Sequence, residues 1–163
     1  MLFFLLLAVS CFARESTDID GFWKTVNEEG VTQCVVAVYS YDGMHYGRII
    51  GSYDENGKFS DTIWAPKKRA PGMEGDPYYS GLDLIWFLVD SGAKCKGKIV
   101  DPEHGKIYNA ELWVGENGNL VVRGKLLFFG RSQEWLPAGK SDFPKGFVMP
   151  KTKDFVPVIH AVK

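Results

Sequence analysis

The sequence has few cysteines, few histidines and no excess of either charge. Its 163 residues include 3 Cys and 3 His, and 19 Lys and Arg stand against 20 Asp and Glu, for a formal net charge of -1. This balance lacks the basic surface that nucleic-acid binding requires, so nucleic acid is not expected as a partner. The length remaining after an export segment is enough for one domain with a real hydrophobic core.

Motifs of catalysis and metal binding are also missing from the sequence. It contains no nucleophile elbow, His-Glu-x-x-His, phosphate-binding glycine loop or Cys-x-x-Cys. The histidines are scattered, at His45, His104 and His160. Asp101, Glu103 and His104 are interpreted as a hairpin turn, because adjacent turn residues seldom converge on one ion. The sequence therefore gives no reason to expect an enzyme, a metal or a cofactor.

One long apolar run is present, at the N-terminus. Residues 1–13 are too few to span a bilayer and end in small residues, as in a cleaved signal peptide. The mature chain would then begin near Arg14, in the periplasm, the cell envelope or outside the cell. No Lys or Arg precedes the run. Two alternatives stay open: a lipoprotein signal formed by residues 7–11, with an acylated Cys11, and a short N-terminal core segment. No later segment is apolar enough to cross a membrane.

Long runs of helix formers are rare, whereas glycine, aromatic and β-branched residues are abundant. Asp42-Gly43 is a strong signal for a two-residue hairpin turn. Short strands joined in sequence by turns predict an all-β, antiparallel, up-and-down barrel over residues 20–136. Alternating segments place its roughly eight strands at residues 21–25, 31–41, 44–50, 82–88, 93–100, 107–114, 120–125 and 127–135.

Two further segments do not show strand alternation. Residues 52–80 are crowded with turn residues and are predicted to form a long loop, to which Trp64, Tyr78 and Tyr79 add aromatic groups. This loop is interpreted as a cover over one end of the barrel, with a ligand lid as the alternative. Residues 137–163 are rich in Pro and Lys, and we expect a basic tail that lies on the barrel or is partly disordered.

Two cysteines follow the export segment. Alternation places Cys34 on the face of Val36 and Val38, and it places Cys95 opposite the lysines that flank it. Both thiols are therefore predicted to point into one core. A disulfide between them and two separate buried thiols are both compatible with this placement.

Three segments together resemble a family of secreted bacterial proteins of unknown function, assigned to the lipocalin-like (calycin) barrels. The resemblance extends from about residue 20 to residue 135, and its motifs are Gly21-Phe22-Trp23-Lys24-Thr25, residues 97–108, and residues 122–124 with 130–135. It implies that Trp23 closes one end of the barrel. It also implies that Arg131, from the last strand, packs across the indole ring as a structural cation–π partner.

Candidate ligand contacts follow from the alternation within strands. Asp83 interrupts an apolar strand, where an unpaired carboxylate would be costly, so it needs a partner, water or a ligand. Gln133 shares a face with Arg131, and Trp86 and Tyr108 are the aromatic residues favoured to reach a cavity. These five residues are the predicted ligand-binding set.

The sequence therefore predicts an exported barrel that binds a small, partly apolar or amphipathic molecule. The alternative is a structural or interaction protein of the cell envelope whose barrel is filled by side chains. Such a protein would use the long loop and the basic tail on an acidic partner or anionic lipid. The interior volume separates the two hypotheses, because a ligand pocket needs roughly 300 to 1,000 Å³.

Overall fold

The computed structural model describes residues 18–124 and 132–163. The predicted signal peptide, Cys11 and Arg131 lie outside these ranges. The described chain contains two 3₁₀ turns, Lys140–Asp142 and Thr152–Asp154, but no α-helix, so no helix there could cross a membrane. Its nine strands are β1 (Gly21–Val26), β2 (Thr32–Tyr41), β3 (Met44–Tyr53), β4 (Phe59–Thr62), β5 (Asp83–Ser91), β6 (Lys94–Asp101), β7 (Lys106–Val114), β8 (Leu120–Gly124) and β9 (Ser132–Pro137).

Eight of these strands close into a barrel. Each of them pairs antiparallel with its neighbours along the chain, and β1 pairs with β9 to complete the ring. The predicted eight-stranded antiparallel barrel is confirmed. Strand β4 is additional, and it pairs with the end of β3 beyond the part that pairs with β5. Closure gives each of the eight strands a hydrogen-bonded neighbour on both sides, although β1 and β9 are paired through only two residues each, Trp23 with Pro137 and Lys24 with Leu136.

The first hairpin has the predicted turn. Tyr41 pairs with Met44, which leaves Asp42 and Gly43 as a two-residue connection between β2 and β3. Both connecting residues have positive φ, 49° and 75°. This left-handed backbone matches the twist of the strands, and Asp-Gly adopts it readily. The hairpin predicted from the sequence is therefore confirmed.

One end of the barrel is filled with side chains. Trp23 is 7% exposed, and its indole N–H donates to the carbonyl oxygen of Ile19 at 2.9 Å. It belongs to the inner core cluster together with Leu88, Leu112 and Leu120. This region, which we call the closed end, lies next to the turns that join β2 to β3, β5 to β6 and β7 to β8.

The segment predicted as a long loop covers the outer face of β5 and β6. Its residues Ala70 and Met73 are fully buried and form an outer cluster with Leu82, Trp86 and Val100. The segment also contains β4, which the sequence did not predict. A four-residue strand among so many turn residues gives too short an alternation to be recognised.

A close backbone contact fixes the long loop to the turn between β6 and β7. The N–H of Gly72 donates to the carbonyl oxygen of Pro102 at 2.9 Å. A Cβ atom at Gly72 would stand only 2.1 Å from the backbone nitrogen of Gly105. Glycine is therefore required at residue 72, and the resulting contact sets the position of the loop beside the barrel rim.

Residues 138–163, which we call the tail, run along the outside of the barrel. Val162 forms a β-bridge with Met73, and Trp64 donates its indole N–H to the carbonyl oxygen of Val148 at 2.8 Å. A second outer cluster lies under the tail, where the barrel residues Val35, Ala37, Ile50 and Phe59 meet Phe143, Phe147, Met149 and Phe155. The barrel thus has an inner core and two covered outer faces.

Candidate ligand cavity

A cavity of about 690 Å³ lies inside the barrel, away from the closed end. This volume falls within the usual range of small-molecule sites. It is reached from the rim formed by the long loop and the turn between β6 and β7, where Lys68, Tyr79 and His104 border it. The lining side chains come from seven of the eight barrel strands or their ends. The cavity therefore forms only when the strands close into a ring.

The wall of the cavity is mainly apolar. Ile49, Leu84, Ile99 and Trp135 line it from four different strands. Ile99 is paired directly with Tyr108 in the register of β6 and β7, so both side chains face the interior from neighbouring strands. A surface of this kind favours an apolar ligand because burial removes hydrocarbon from water.

A small polar group lies on one side of this wall. The hydroxyl of Thr25 and the thiol of Cys34 are 3.2 Å apart and share a hydrogen bond. Burial raises the pKa of the Cys34 thiol to about 11, although the hydrogen bond with Thr25 opposes the shift. Cys34 is therefore a neutral thiol at physiological pH and adds no charge to the cavity.

Gln133 contributes an amide to the same cavity. Its side-chain oxygen accepts a hydrogen bond from the indole N–H of Trp135 at 3.2 Å. This contact orients the amide, and the NH₂ group is left as the donor that it can offer to a bound molecule. The cavity thus combines an apolar wall with a few directed polar groups.

The rim carries charged side chains that are paired with one another. His104 Nδ1 lies 2.7 Å from a carboxylate oxygen of Asp101, and Lys68 Nζ lies 3.7 Å from Glu103. The hydroxyl of Tyr79 donates to Glu103. Burial and this neighbouring carboxylate raise the pKa of Tyr79, which keeps its hydroxyl protonated. These pairs fix the rim residues in place, and Lys106, which also lines the cavity, adds a further cationic side chain there.

A second depression, of about 580 Å³, lies outside the barrel where the tail meets β1 and β3. Lys24 and Asp142 form an ion pair of 2.7 Å there, and Phe59 and Phe143 form part of its wall. Because it lies between the tail and the outside of the barrel, strands do not enclose it. The interior cavity is the stronger candidate site.

The structure divides the five predicted ligand-binding residues. Tyr108 and Gln133 line the cavity. Asp83 and Trp86 do not line it and lie on covered outer surfaces instead, while Arg131 is outside the described residues. Of the predicted end-cap pair, the structure describes only Trp23, because Arg131 lies outside the described residues.

Asp83 is fully buried beneath the tail, where four groups satisfy it. Arg48 donates to both carboxylate oxygens, at 2.6 and 3.1 Å, and the hydroxyl of Tyr39 donates at 2.8 Å. The fourth donor is the backbone N–H of Val158 in the tail, at 2.8 Å. Asp83 therefore has the partner that its strand required, and this partner belongs to a structural network.

The network also fixes Arg48 and Tyr39. Arg48 donates to the carbonyl oxygen of Val156 at 2.7 Å and lies 4.5 Å from the ring centre of Phe155. Burial works against its charge, but the hydrogen bonds to Asp83 outweigh it and raise the pKa of Arg48. Burial, with Asp83 beside it, raises the pKa of Tyr39 as well. Arg48 therefore stays charged and Tyr39 stays neutral at ordinary pH values.

Trp86 occupies the outer cluster under the long loop. It is 3% exposed, and its indole N–H donates to the carbonyl oxygen of Asp83. Sequence alternation distinguishes two faces of a strand, but it does not show that a loop or tail covers the outer one. The sequence predicts Asp83 and Trp86 as ligand contacts, whereas in the structure the tail covers Asp83 and the long loop covers Trp86.

No disulfide joins Cys34 and Cys95. Both belong to the inner core region, as the alternation predicted, but they have different neighbours. Cys95 donates a hydrogen bond to Asp90 at 3.2 Å, and burial together with this carboxylate raises the pKa of its thiol to about 12. Of the two alternatives left open by the sequence, the structure has two separate thiols.

Several lining residues were not identified from the sequence. Ile99 could have been found, since it shares the inward face of β6 with Cys95. Leu84 could not, because alternation along β5 puts it on the same face as Trp86, which belongs to the outer cluster. The sequence singles out Tyr79 only as an aromatic group of the long loop and does not single out Lys68, because the place of both residues at the rim depends on how that loop folds back.

Comparisons with known proteins agree with this fold. The structure is similar to protein HP1028 of Helicobacter pylori, which is described as belonging to the lipocalin family, with a TM-score of 0.60. The two sequences are 18% identical, and the match covers 78% of this chain and 87% of that chain. At this identity the likeness concerns the fold alone.

A search of curated proteins found no match. A family model described as an uncharacterized protein conserved in bacteria (DUF2147) matches residues 21–136. The chain therefore belongs to this bacterial family, and its fold is a lipocalin-like barrel.

Proposed function

We propose that the protein is an exported binding protein that holds one small, partly apolar molecule inside its barrel. The observation that carries this proposal is the interior cavity of about 690 Å³. Protein interiors normally pack without voids larger than a water molecule, so a space of this size is unusual in a barrel that serves only as a scaffold. Barrels of eight strands are just wide enough to enclose one small ligand.

The chemistry of the wall indicates the ligand class. Ile49, Leu84 and Ile99 provide hydrocarbon contacts. Tyr108 offers a hydroxyl group to the cavity, and Gln133 offers an amide. A molecule with an apolar body and one or two hydrogen-bonding groups would satisfy both. Because Cys34 is neutral and the charged groups, Lys106 among them, lie at the rim, the apolar body of the ligand needs no charge of its own.

Export is the second part of the proposal. It is supported by the apolar run of residues 1–13, which has the length and small-residue ending of a signal peptide. The mature protein would then work in the periplasm, in the envelope or outside the cell.

The intact mass of the protein recovered from its own host tests whether the export segment is removed. A start near Arg14 is expected, a lipid-modified Cys11 would indicate an anchored form, and an unprocessed N-terminus would contradict export.

A second candidate function is interaction with another protein or an envelope surface. The observation that favours it is a set of exposed apolar side chains on the tail: Val148, Val156 and Val158 are 67%, 58% and 52% exposed. Scattered exposed apolar residues are common, however, and the same tail is fixed to the barrel by hydrogen bonds. The cavity therefore gives the stronger argument.

Native mass spectrometry of protein purified from its own host tests ligand binding directly. We expect a small-molecule adduct that survives purification and is lost when the same sample is unfolded and refolded. A protein that carries no adduct, and takes up none from a lipid and metabolite extract of the host, would contradict the binding proposal. A stable complex with another protein under the same conditions would favour the second candidate.

A further inference from the structure

Three potential metal ligands from three strands meet near the closed end of the barrel. They are His45 on β3, Asp90 on β5 and Cys95 on β6, and their ligand atoms all lie within 4.8 Å of one another. His45 Nε2 is 3.8 Å from Asp90 Oδ1, and Cys95 Sγ is 3.2 Å from the same oxygen. None of the three lines the cavity, so the group is separate from the proposed ligand site.

The barrel itself holds these residues together. Asp90 and Cys95 are opposite each other in the register of β5 and β6, beside the tight turn that joins the two strands. His45 is paired with Leu88 in the register of β3 and β5, and Leu88 is two residues before Asp90 on β5. Because paired strands fix these positions, the three side chains are brought together without any rearrangement of the backbone.

A carboxylate behind His45 orients its ring. Nδ1 of His45 lies 2.7 Å from Asp20 Oδ1, and the hydroxyl of Ser40 donates to the other oxygen of Asp20 at 2.5 Å. With Nδ1 directed to Asp20, Nε2 is the nitrogen that faces Asp90 and Cys95. Metal-binding histidines usually have such a carboxylate on the nitrogen that does not bind the ion.

The exposure of the three side chains differs in a way that suits a metal site. Cys95 is fully buried, the side chain of His45 is 17% exposed, and that of Asp90 is 69% exposed. An ion could approach from the side of Asp90, while the sulfur and the imidazole provide a partly dry environment on the inner side. Exposed acidic clusters are common without a metal, but a buried thiol and a largely buried imidazole beside one carboxylate are a different set of donors.

We propose that His45, Asp90 and Cys95 form a Zn²⁺ site with one coordination position left to water. One thiolate, one imidazole and one carboxylate are borderline-soft and hard donors that together suit Zn²⁺. Bonds of about 2.0 to 2.3 Å in a tetrahedral site place ligand atoms roughly 3.3 to 3.8 Å apart. The distances from Asp90 to His45 and Cys95, 3.8 and 3.2 Å, are close to this range, and the imidazole of His45 would shift to bring Nε2, which is within 4.8 Å of the Cys95 sulfur, into it. On binding, the thiol proton of Cys95 passes to solvent and a zinc–sulfur bond replaces its hydrogen bond to Asp90.

Such a site would tie β3, β5 and β6 together at the closed end. Bound Zn²⁺ would therefore stabilise the folded barrel, because a ligand that binds only the folded state shifts unfolding. The ion would lie far from the rim, so it is not expected to alter entry to the cavity.

The test uses the full chain, reduced and freed of metal, with Zn²⁺ or Co²⁺ as the probe. We expect one ion per chain, a rise in Tm with Zn²⁺, and a thiolate-to-metal charge-transfer absorption with Co²⁺. Cys95→Ala should lose the absorption, whereas Cys34→Ala should keep it. Asp90→Asn, at an exposed position that tolerates substitution, should weaken Zn²⁺ binding at least about tenfold.

Asp42→Asn is the matched control for Asp90→Asn. Asp42 is a nearby exposed acidic residue with positive φ, a conformation that Asn also adopts, and it is not one of the three ligands. Its variant should bind Zn²⁺ like the unaltered protein. The proposal is overturned if the unaltered chain gives neither the absorption nor the Tm rise. It is also overturned if Cys34→Ala abolishes the signal, or if Asp90→Asn and Asp42→Asn bind equally well.

Discussion

The inside of the barrel and the outer surface under the tail are built in opposite ways. Inside, apolar side chains such as Ile99 and Leu84 line an open volume of about 690 Å³. Outside, the rings of Phe143 and Phe147 are stacked with their centres 5.1 Å apart, and Phe59 meets Phe143 edge-on with the ring centres 5.5 Å apart. The outside also holds the buried Arg48–Asp83 pair, whereas the interior has no such pair among the described residues.

This difference shows how a barrel can stay hollow and still be stable. Much of the apolar burial that stabilises a small domain is here provided by the outer clusters under the tail and the long loop. The interior is therefore free to keep an empty volume at one end while the closed end is filled. Changes under the tail should cost stability, and changes in the cavity should alter binding.

The largest loss of stability is expected from Asp83→Asn. This change leaves the guanidinium of Arg48 buried without its anionic partner, which typically costs about 3 to 5 kcal/mol. Urea unfolding measures the effect. Asp76→Asn is the control, since its pair with Lys163 is half exposed and should contribute less than about 1 kcal/mol. Equal losses in the two variants would show that the Arg48–Asp83 network does not anchor the tail.

A somewhat smaller loss is expected from Phe143→Ala. Phe143 is 9% exposed and fills the space between the tail and the barrel, so its truncation should cost about 3 kcal/mol. Val148→Ala, on an exposed part of the same tail, should change the free energy of unfolding by less than about 0.5 kcal/mol. Thermal or urea unfolding compares them. If Phe143→Ala matched Val148→Ala, the outer cluster would not be a principal source of stability.

The smallest effect is expected from the partly exposed pair of His45 and Asp20, and it depends on pH. The hydrogen bond to Asp20 raises the pKa of His45, although burial opposes it. Burial works to raise the pKa of Asp20, but the hydrogen bonds with His45 and Ser40 outweigh it and the pKa is lowered.

The signs of these two shifts define a pH window. The raised pKa of His45 means that its contribution is lost as the pH rises through that value. The lowered pKa of Asp20 means that its contribution is lost as the pH falls through that value. The pair therefore stabilises most between the two, in mildly acidic solution. With a chelator present, His45→Gln should remove this dependence from a plot of Tm against pH. If the plots for His45→Gln and the unaltered protein had the same shape, the pair of His45 and Asp20 would not be the cause of the pH dependence.

Most of the barrel could be predicted from the sequence because its strands alternate regularly. The Asp42-Gly43 pair is by itself enough to predict the hairpin between β2 and β3. The inward position of Cys95 follows from the lysines that flank it. Alternation also makes Tyr108 and Gln133 candidates for the interior, and both line the cavity.

The remaining features depend on contacts between distant parts of the chain. Asp83 is satisfied by Val158, 75 residues later, and alternation carries no information about such a partner. The group of His45, Asp90 and Cys95 arises from the register of three strands, which no spacing along the sequence reveals. The rim residues Lys68 and Tyr79 depend in turn on the folded long loop.

The most direct test of the central claim is a titration with the apolar fluorescent probe N-phenyl-1-naphthylamine. The variant Leu84→Trp/Ile99→Trp narrows the cavity from two strands. Its control, Val89→Trp/Ile107→Trp, adds the same two rings at positions that are each 45% exposed. We expect the unaltered protein and the control to bind one probe with equal affinity, and the cavity variant to bind it at least about tenfold more weakly while still folded. Equal binding by all three would show that the interior of the barrel is not a ligand site.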